Sequence, residues 1–398
     1  MAYAGRKRRI LIIVENLPVP LDRRVWQEAT TLKEAGYQVS IICPVGKNYP
    51  KRHECLNDIH IYRHGLPIEA RGALGYALEY SAALFWEFYL SCKICIKHGF
   101  DVIHACNPPD TIFLVALFFK LFGKKFLFDH HDINPELYEA KFGRKGFFHK
   151  LLLLFERWTF RTANVSIATN ESYKKIAIER GGMKAERVFI VRSGPHLERL
   201  QVPPAREELK KGRKHLVGYV GVMGKQEGID YLLRSAKYIV EELGRKDIHF
   251  GLVGGGPELE YLKSYAKELN VDEYVTFTGR APDKEMLEML NTADVCVNPD
   301  VWTVMNDKST MNKIMEYMAL GKPVVQFDLT EGRFSAQEAS LYANRDDIED
   351  MANKIVQLLD DPELREKMGR FGKNRVENEL DWKYETPKLL AAYDMLFE

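Results

Sequence analysis

Ile10-Leu11-Ile12-Ile13-Val14, near the start of the chain, and Leu216-Val217-Gly218-Tyr219-Val220, at the start of its second half, are the two runs on which the fold turns. Each is an apolar stretch of strand length, and each opens a series in which such stretches alternate with helical patterns. The first series continues with Gln38 to Cys43, Asp101 to His104, Lys125 to Asp129, Asn164 to Ala168 and Arg187 to Val191. Helical patterns such as Arg23 to Ala35, closed by Gly36, and Thr111 to Phe122 fall between them. The second series continues with His249 to Val253, Tyr274 to Phe277, Val295 to Asn298 and Pro323 to Phe327. Alternation of this kind predicts parallel sheets with helices on both faces, hence two doubly wound α/β domains. The segment between the series is rich in Pro, Glu, Lys and Arg and poor in apolar residues. Domains are therefore expected over 1–195 and 215–378, with a linker over 196–214 and a C-terminal helix over 379–398 crossing back to the first domain. Ligands of doubly wound sheets gather at the carboxyl ends of the strands, so the expected site is a cleft across which the domains face each other.

Composition agrees with this division. A chain of 398 residues suits two domains of about 200 each. Apolar residues make up 46% and charged residues 28%, a globular balance. The formal charge of +1 excludes an obligate nucleic-acid binder, which carries a large basic excess. That total conceals a split: residues 1–200 hold 30 basic and 20 acidic side chains, whereas residues 201–398 hold 27 and 36. The six cysteines form no secreted-domain framework, and Cys92-x-x-Cys95 falls in a helical stretch, so reduced thiols in a cytoplasmic protein are expected. No signal-peptide pattern follows Ile10 to Val14. The most hydrophobic segment, 72–98, is interrupted by Glu79, Glu87 and Lys93 and does not read as a spanning helix.

The densest chemical signal is Ser309-Thr310-Met311-Asn312-Lys313-Ile314-Met315-Glu316-Tyr317-Met318-Ala319-Leu320-Gly321-Lys322-Pro323. It predicts a helix with Ser309 or Thr310 as N-cap and Gly321 just past its end, followed by a strand. Lys313 lies in the first turn, where free backbone N–H groups and the helix dipole favour an anion. Glu316 lies one turn further on the same face. A phosphate at the helix start would place an attached ribose beside that carboxylate. A surface ion pair explains the spacing equally well.

The run Lys313-x-x-Glu316-Tyr317-Met318-Ala319-x-Gly321-Lys322-Pro323-Val324-Val325 resembles the nucleotide-binding signature of glycosyltransferase family 4, retaining enzymes of GT-B architecture. Asn16-x-Pro18-x-x-x-Asp22-Arg23-Arg24, Asp101-Val102-Ile103-His104, His131-Asp132, Val253-Gly254-x-Gly256-Pro257, Phe277-x-Gly279-Arg280 and Ala293-Asp294-Val295 resemble other segments of the family in the same order. The family's usual pair of glutamates is represented here by Lys308 and Glu316, so the first glutamate's contact with the donor sugar does not carry over. In Gly221-Val222-Met223-Gly224-Lys225-Gln226-Glu227-Gly228 the family's common Arg and Lys phosphate ligands are Val222 and Glu227, which take no such role. This segment resembles a subgroup with a Gly-Lys pair, which implies Lys225 and Lys313 as ligands of the diphosphate. Two cations there would stabilise the charge developing on the leaving group.

The resemblance further implies His131 beside the transferred sugar, with His131, Lys225 and Lys313 as the catalytic set. Donor-binding residues would be Gly224, Gly254, Arg280, Ala281, Thr310, Met311, Asn312 and Glu316, with the base near Arg280 and Ala281 and UDP preferred over GDP. Acceptor-side candidates are Asn16, Asp22, Arg23, Arg24 and Asn107, although a charge cluster opening a helix accounts equally for the first arginines. A metal site among His104, His130, His131 and Asp132 lacks any known ligand spacing, so no metal and no cofactor is expected beyond the nucleotide-sugar co-substrate.

Aromatic and basic residues gather at Tyr76, Tyr80, Phe85, Trp86, Phe88 and Tyr89 and again through Phe142 to Phe160. The second stretch suits a helix lying at an anionic membrane surface, or one packing on the sheet with a basic solvent face. The function expected is retaining transfer of a sugar from a nucleotide-sugar, UDP-linked, to a hydroxyl of a glycan or polyprenyl-diphosphate-linked acceptor in polysaccharide biosynthesis. The enzyme would work in the cytoplasm, peripheral to the membrane face. The alternatives are a nucleotide-sugar epimerase of the same architecture or a non-catalytic nucleotide-sugar-binding protein. An NAD-dependent oxidoreductase fits poorly, since Gly218-x-x-Gly221-x-x-Gly224 lacks the dinucleotide spacing.

Overall fold

The apolar runs become strands because both faces of each are covered. In the computed structural model, which describes residues 7–65, 72–197, 200 and 202–398 (the backbone alone at 72–74, 76 and 77), the chain divides into two compact units. Unit 1 comprises Met1–Arg192 with Thr386–Glu398, and unit 2 comprises Ser193–Glu385. The side chain of Tyr76, singled out above, lies outside the described residues.

The strands of unit 1 are β1 (Arg9–Ile13), β2 (Gln38–Pro44), β3 (His53–Leu56), β4 (Ile59–His64), β5 (Val102–Cys106), β6 (Lys125–His130), β7 (Val165–Ala168) and β8 (Val188–Ile190). Its helices are α1 (Arg23–Glu34), α2 (Gly72–Lys97), α3 (Phe113–Lys120), α4 (Asn134–Phe142), α5 (Phe147–Thr162) and α6 (Glu171–Glu179). The sheet order is β3-β4-β2-β1-β5-β6-β7-β8, parallel throughout except for the β3–β4 pair. Ile10 stands in register with Val39 on one side and Val102 on the other, so the order reverses at β1. The central strand β5 is buried along its whole length.

Unit 2 holds β9 (His215–Val220), β10 (Ile248–Val253), β11 (Val275–Gly279), β12 (Val295–Asn298), β13 (Val324–Phe327) and β14 (Ser340–Ala343). Its helices are α7 (Ile229–Glu241), α8 (Leu259–Glu268), α9 (Asp283–Thr292), α10 (Val304–Lys308), α11 (Asn312–Ala319), α12 (Thr330–Ala336), α13 (Ile348–Asp360) and α14 (Pro362–Arg375). The order β11-β10-β9-β12-β13-β14 is all parallel and reverses at β9. Helix α15 (Trp382–Phe397) starts in unit 2 and ends in unit 1, where Tyr393 is buried and its hydroxyl lies 2.8 Å from His104 Nδ1.

Three differences from the sequence reading have local causes. The described part of 196–214 belongs to unit 2, because Leu197, Leu200 and Leu209 pack against that unit's core. Strands β3, β4 and β14 were not expected: the first two carry His, Glu and Arg, and the last is a short edge strand. The helix carrying Lys313 is not capped by Ser309 or Thr310. A separate short helix, α10, intervenes with its own cap, Thr303, while Ser309 Oγ donates back to Met305 O at 2.7 Å. Met311 is left as the N-cap of α11, with no side-chain hydrogen bond. Gly321 does follow the helix with φ +68°, where a side chain would be strained. All six cysteines are free thiols.

Candidate functional site

In unit 2 the loops that follow β9 and β12, the strands flanking the order reversal, meet at Lys313. Its ammonium donates to Glu227 Oε2 at 2.6 Å and to Asp300 Oδ1 at 3.1 Å. It also stands 5.0 Å from the centre of the Tyr219 ring, whose hydroxyl donates to Glu227 at 3.1 Å. Burial works against the ammonium, but the two carboxylates outweigh it and hold the Lys313 pKa above its ordinary value. Burial pushes the Asp300 carboxyl up to about 7, against the pull of Lys313. Asn306 braces the same corner, donating to Gln226 O and Val301 O at 2.8 Å each.

Above this cluster two glycine loops lie backbone to backbone. Gly221 N donates to Val253 O and Met223 N to Gly255 O, both at 3.0 Å. Gly254 has φ +148°, and a Cβ there would meet Gly221 O at 1.8 Å; a Cβ on Gly256 would meet Met223 O at 2.5 Å. Loop-on-loop packing alone therefore requires glycine at both positions. Gly255 is different, since its nearest would-be contact is Arg280 at 3.7 Å. Gly224 opens the short turn that carries Lys225. Lys225 is exposed and has no ion pair among the described residues. Thr310, Met311 and Asn312 form the entry to α11, Glu316 is half-buried one turn on, Arg280 is exposed and Ala281 half-buried just after β11.

In unit 1 the carboxyl ends of β5 and β6 hold a second cluster. Arg24, on the first turn of α1, directs Nη2 to Asp129 Oδ1 at 2.9 Å and Nη1 to Val191 O at 2.8 Å. Its Nη2 also lies 3.2 Å from Glu28 Oε1. His131 Nε2 is hydrogen-bonded to Asp129 Oδ2 and also stands 2.9 Å from Arg24 Nε, so both side chains hold the ring in place. Burial opposes charge on Asp129, yet Arg24 and His131 prevail and hold its pKa well below the carboxylate range. Glu28 goes the other way, raised by burial and by the Asp129 charge. The two carboxyls are thus pushed in opposite directions, Asp129 toward the charged form and Glu28 toward the neutral one.

The acceptor-side expectations divide here. Asn16 and Arg23 are exposed, and Asp22 caps α1 by accepting from Val25 N at 3.0 Å. Arg24 is buried, where it supplies the counter-charge to the Asp129 carboxylate, and its Nε also reaches His131 Nε2 directly at 2.9 Å. Asn107 is buried too. Its Oδ1 accepts from the backbone N of His131 (2.7 Å) and Asp132 (3.2 Å), and its Nδ2 donates to Asp110 (2.8 Å) and Asp132 O (2.6 Å). With all four positions used, Asn107 braces the His131 loop. Glu28, Cys106, Asp129 and His131 form the metal-compatible cluster found among the described residues, a different set from the one weighed on spacing. Arg24 already supplies positive charge to it. The sequence reading missed Asp129, Asp300 and Tyr219 and set Glu227 aside; position at a strand's carboxyl end is the signal that marks Asp129 and Asp300.

Two doubly wound units with polar clusters at their strands' carboxyl ends define a GT-B fold of the glycosyltransferase kind. The model of Glycosyltransferase Family 4 matches residues 21–199 and that of Glycosyl transferases group 1 matches residues 214–361. Together these cover most of the chain, and the chain belongs to the family 4 glycosyltransferases. Among curated relatives, 2-deoxystreptamine glucosyltransferase of Streptomyces kanamyceticus is 24% identical over 62% of this chain and 64% of its own. The chain spans about 55 to 66% of the length of the first curated relatives it matches. Sucrose-phosphate synthase from Thermosynechococcus elongatus superposes with a TM-score of 0.79 at 18% identity, covering 98% of this chain and 99% of that one. Anabaena HepE, solved in complex with UDP and glucose, gives 0.74 at 14%, covering 98% and 100%. At such identities the likeness is one of fold.

Proposed function

We propose that the chain transfers a sugar from a UDP-sugar to a hydroxyl of a glycan or polyprenyl-diphosphate-linked acceptor, with retention of anomeric configuration, as in polysaccharide biosynthesis. The observation that carries this reading is the start of α11. Its first-turn N–H groups lack a capping side chain, Lys313 stands in that turn, and the exposed Lys225 follows the glycine loop of β9. Uncapped N–H groups with two cations favour a diphosphate.

In this reading Lys225 and Lys313 hold the diphosphate, Glu316 accepts from the ribose hydroxyls, and His131, fixed by Asp129, orients the transferred sugar. The acceptor hydroxyl attacks from the face the diphosphate leaves; the C–O bond to phosphate breaks, the new glycosidic bond forms, and the departing phosphate oxygen takes the hydroxyl proton. The two ammonium groups stabilise the negative charge that develops on that oxygen. No metal is required, and unit 1 serves the acceptor at the cytoplasmic face of a membrane. Support for UDP comes from the ligand named for HepE.

The test is calorimetric titration of UDP, GDP and ADP into the full chain and into Glu316→Ala. UDP should bind best and the variant at least about 10-fold more weakly, the loss of hydrogen bonds to a charged group. Unchanged UDP affinity would remove Glu316 from the ribose. Conversion of the donor alone to its epimer would replace transfer by epimerisation.

A further inference from the structure

We infer that α2, α3 and α5 of unit 1 form one face that seats in the headgroup layer of an anionic lipid bilayer. The inference deepens the proposal that unit 1 serves a membrane-held acceptor and rests on that reading, but it is carried by a separate observation. Surface helices ordinarily keep their apolar stripe for the core. These three present one to solvent.

On α2 the exposed residues Leu78, Phe85, Tyr89 and Ile96 follow spacings of seven, four and seven, so they share one side of the helix. Phe85 is 64% exposed and Ile96 88%. On α3 the stripe is Leu114, Leu117 and Phe118, continued by Leu121 at 82% and Phe122 at 64%. On α5 it is Phe147, at 74%, with Leu154 and Trp158. Ring contacts join the helices side by side: Phe88 of α2 meets Phe118 of α3 at 4.9 Å, and Phe113 of α3 meets Trp158 of α5 at 5.6 Å. Contiguous exposure on this scale is uncommon on a soluble monomer and marks an interaction surface.

Charge selects the occupant. On α5 the exposed charges are Lys150, Arg157 and Arg161, interleaved with the apolar stripe, while the acidic Glu156 is buried against Arg180. Helix α3 carries no acid. On the described part of α2 the exposed charges are Lys93 and Lys97; Glu87 is buried and Glu79 half-buried. An apolar face set among cations complements anionic headgroups over acyl chains. A second copy docking through the same face would bring these cations against their equivalents, which disfavours a symmetric dimer.

The experiment is co-sedimentation of the full chain with phosphatidylcholine vesicles and with vesicles containing equal parts phosphatidylglycerol. The expected result is binding to the anionic vesicles that weakens with salt and is slight on phosphatidylcholine alone. Leu121→Glu with Phe147→Glu should lower the partition coefficient at least about 10-fold. Lys150→Ala with Arg157→Ala should lower it about 30-fold, the loss of two basic contacts. All variants should melt and bind UDP as the parent does. UDP binding without vesicle binding overturns the docking face alone, whereas vesicle binding without UDP binding overturns the donor reading alone. Vesicle binding untouched by either double variant, or a dimer dissolved by Leu121→Glu in a chain that ignores vesicles, overturns this proposal.

Discussion

Glu227→Gln is expected to tighten UDP binding. The substitution keeps an oxygen that accepts from the Tyr219 hydroxyl, 3.1 Å away, and removes one of two negative charges on Lys313. A diphosphate oxygen bound to the same ammonium at about 3 Å would lie roughly 5 Å from the Glu227 carboxylate, whose own oxygen is 2.6 Å from Nζ. Two like charges at about 5 Å repel by roughly 3 kcal/mol at an effective dielectric constant of about 20. Partial exposure and salt reduce this to about 1–2 kcal/mol, or roughly 5- to 30-fold in affinity. Glu227 also adds to the burial that raises Asp300 to about 7. Ionisation of Asp300 adds a second charge competing with the diphosphate, so affinity should fall as pH rises through 7, and in the variant this fall should come at lower pH. Isothermal titration of UDP at several pH values measures both effects. Equal or weaker binding by Glu227→Gln would refute the placement of the diphosphate on Lys313.

Three further outcomes are expected. Lys225→Ala should weaken UDP binding about 10-fold or more while leaving the melting temperature unchanged, because the side chain is exposed and makes no ion pair among the described residues; a lowered melting temperature would mark it as structural. Arg24→Met should destabilise unit 1 by about 3–5 kcal/mol, since it leaves the buried Asp129 without its counter-charge; chemical denaturation at matched pH measures this, and a loss below about 1 kcal/mol would contradict the assignment. Burial alone pushes the Glu87 carboxyl from 4.5 to about 8, so folding takes up a proton between those values and stability falls as pH rises across that window. Glu87→Gln should raise the melting temperature at pH above 8 and flatten its pH dependence only in part, because the nearby Glu15 is raised to about 8 as well; an unaltered pH profile would refute the buried-acid account.

Reading strands from the sequence succeeded where burial on both faces demanded unbroken apolar runs, as in β1, β5 and β10. It failed at β4, Ile59-His60-Ile61-Tyr62-Arg63-His64, where polar side chains interrupt the run and yet sit buried, Arg63 through bonds to Val19 O and Lys51 O. At the site, Lys313 and Glu316 could be placed on one helix from spacing alone. The N-cap could not, because the break between α10 and α11 depends on contacts such as Asn306 with Gln226 O.

The sequence by itself determined the two strand–helix series, the helix carrying Lys313 and Glu316, and the glycines after β9 and β10, because periodicity and backbone freedom are local properties. The charge state of the site was decided by tertiary structure alone. Lys313 meets Glu227 from 86 residues away, and Arg24 meets Asp129 across 105. Ion pairs form between elements that the sheet order brings together, and the balance of burial against those pairs shifts each carboxyl up or down; neither leaves a trace in sequence spacing.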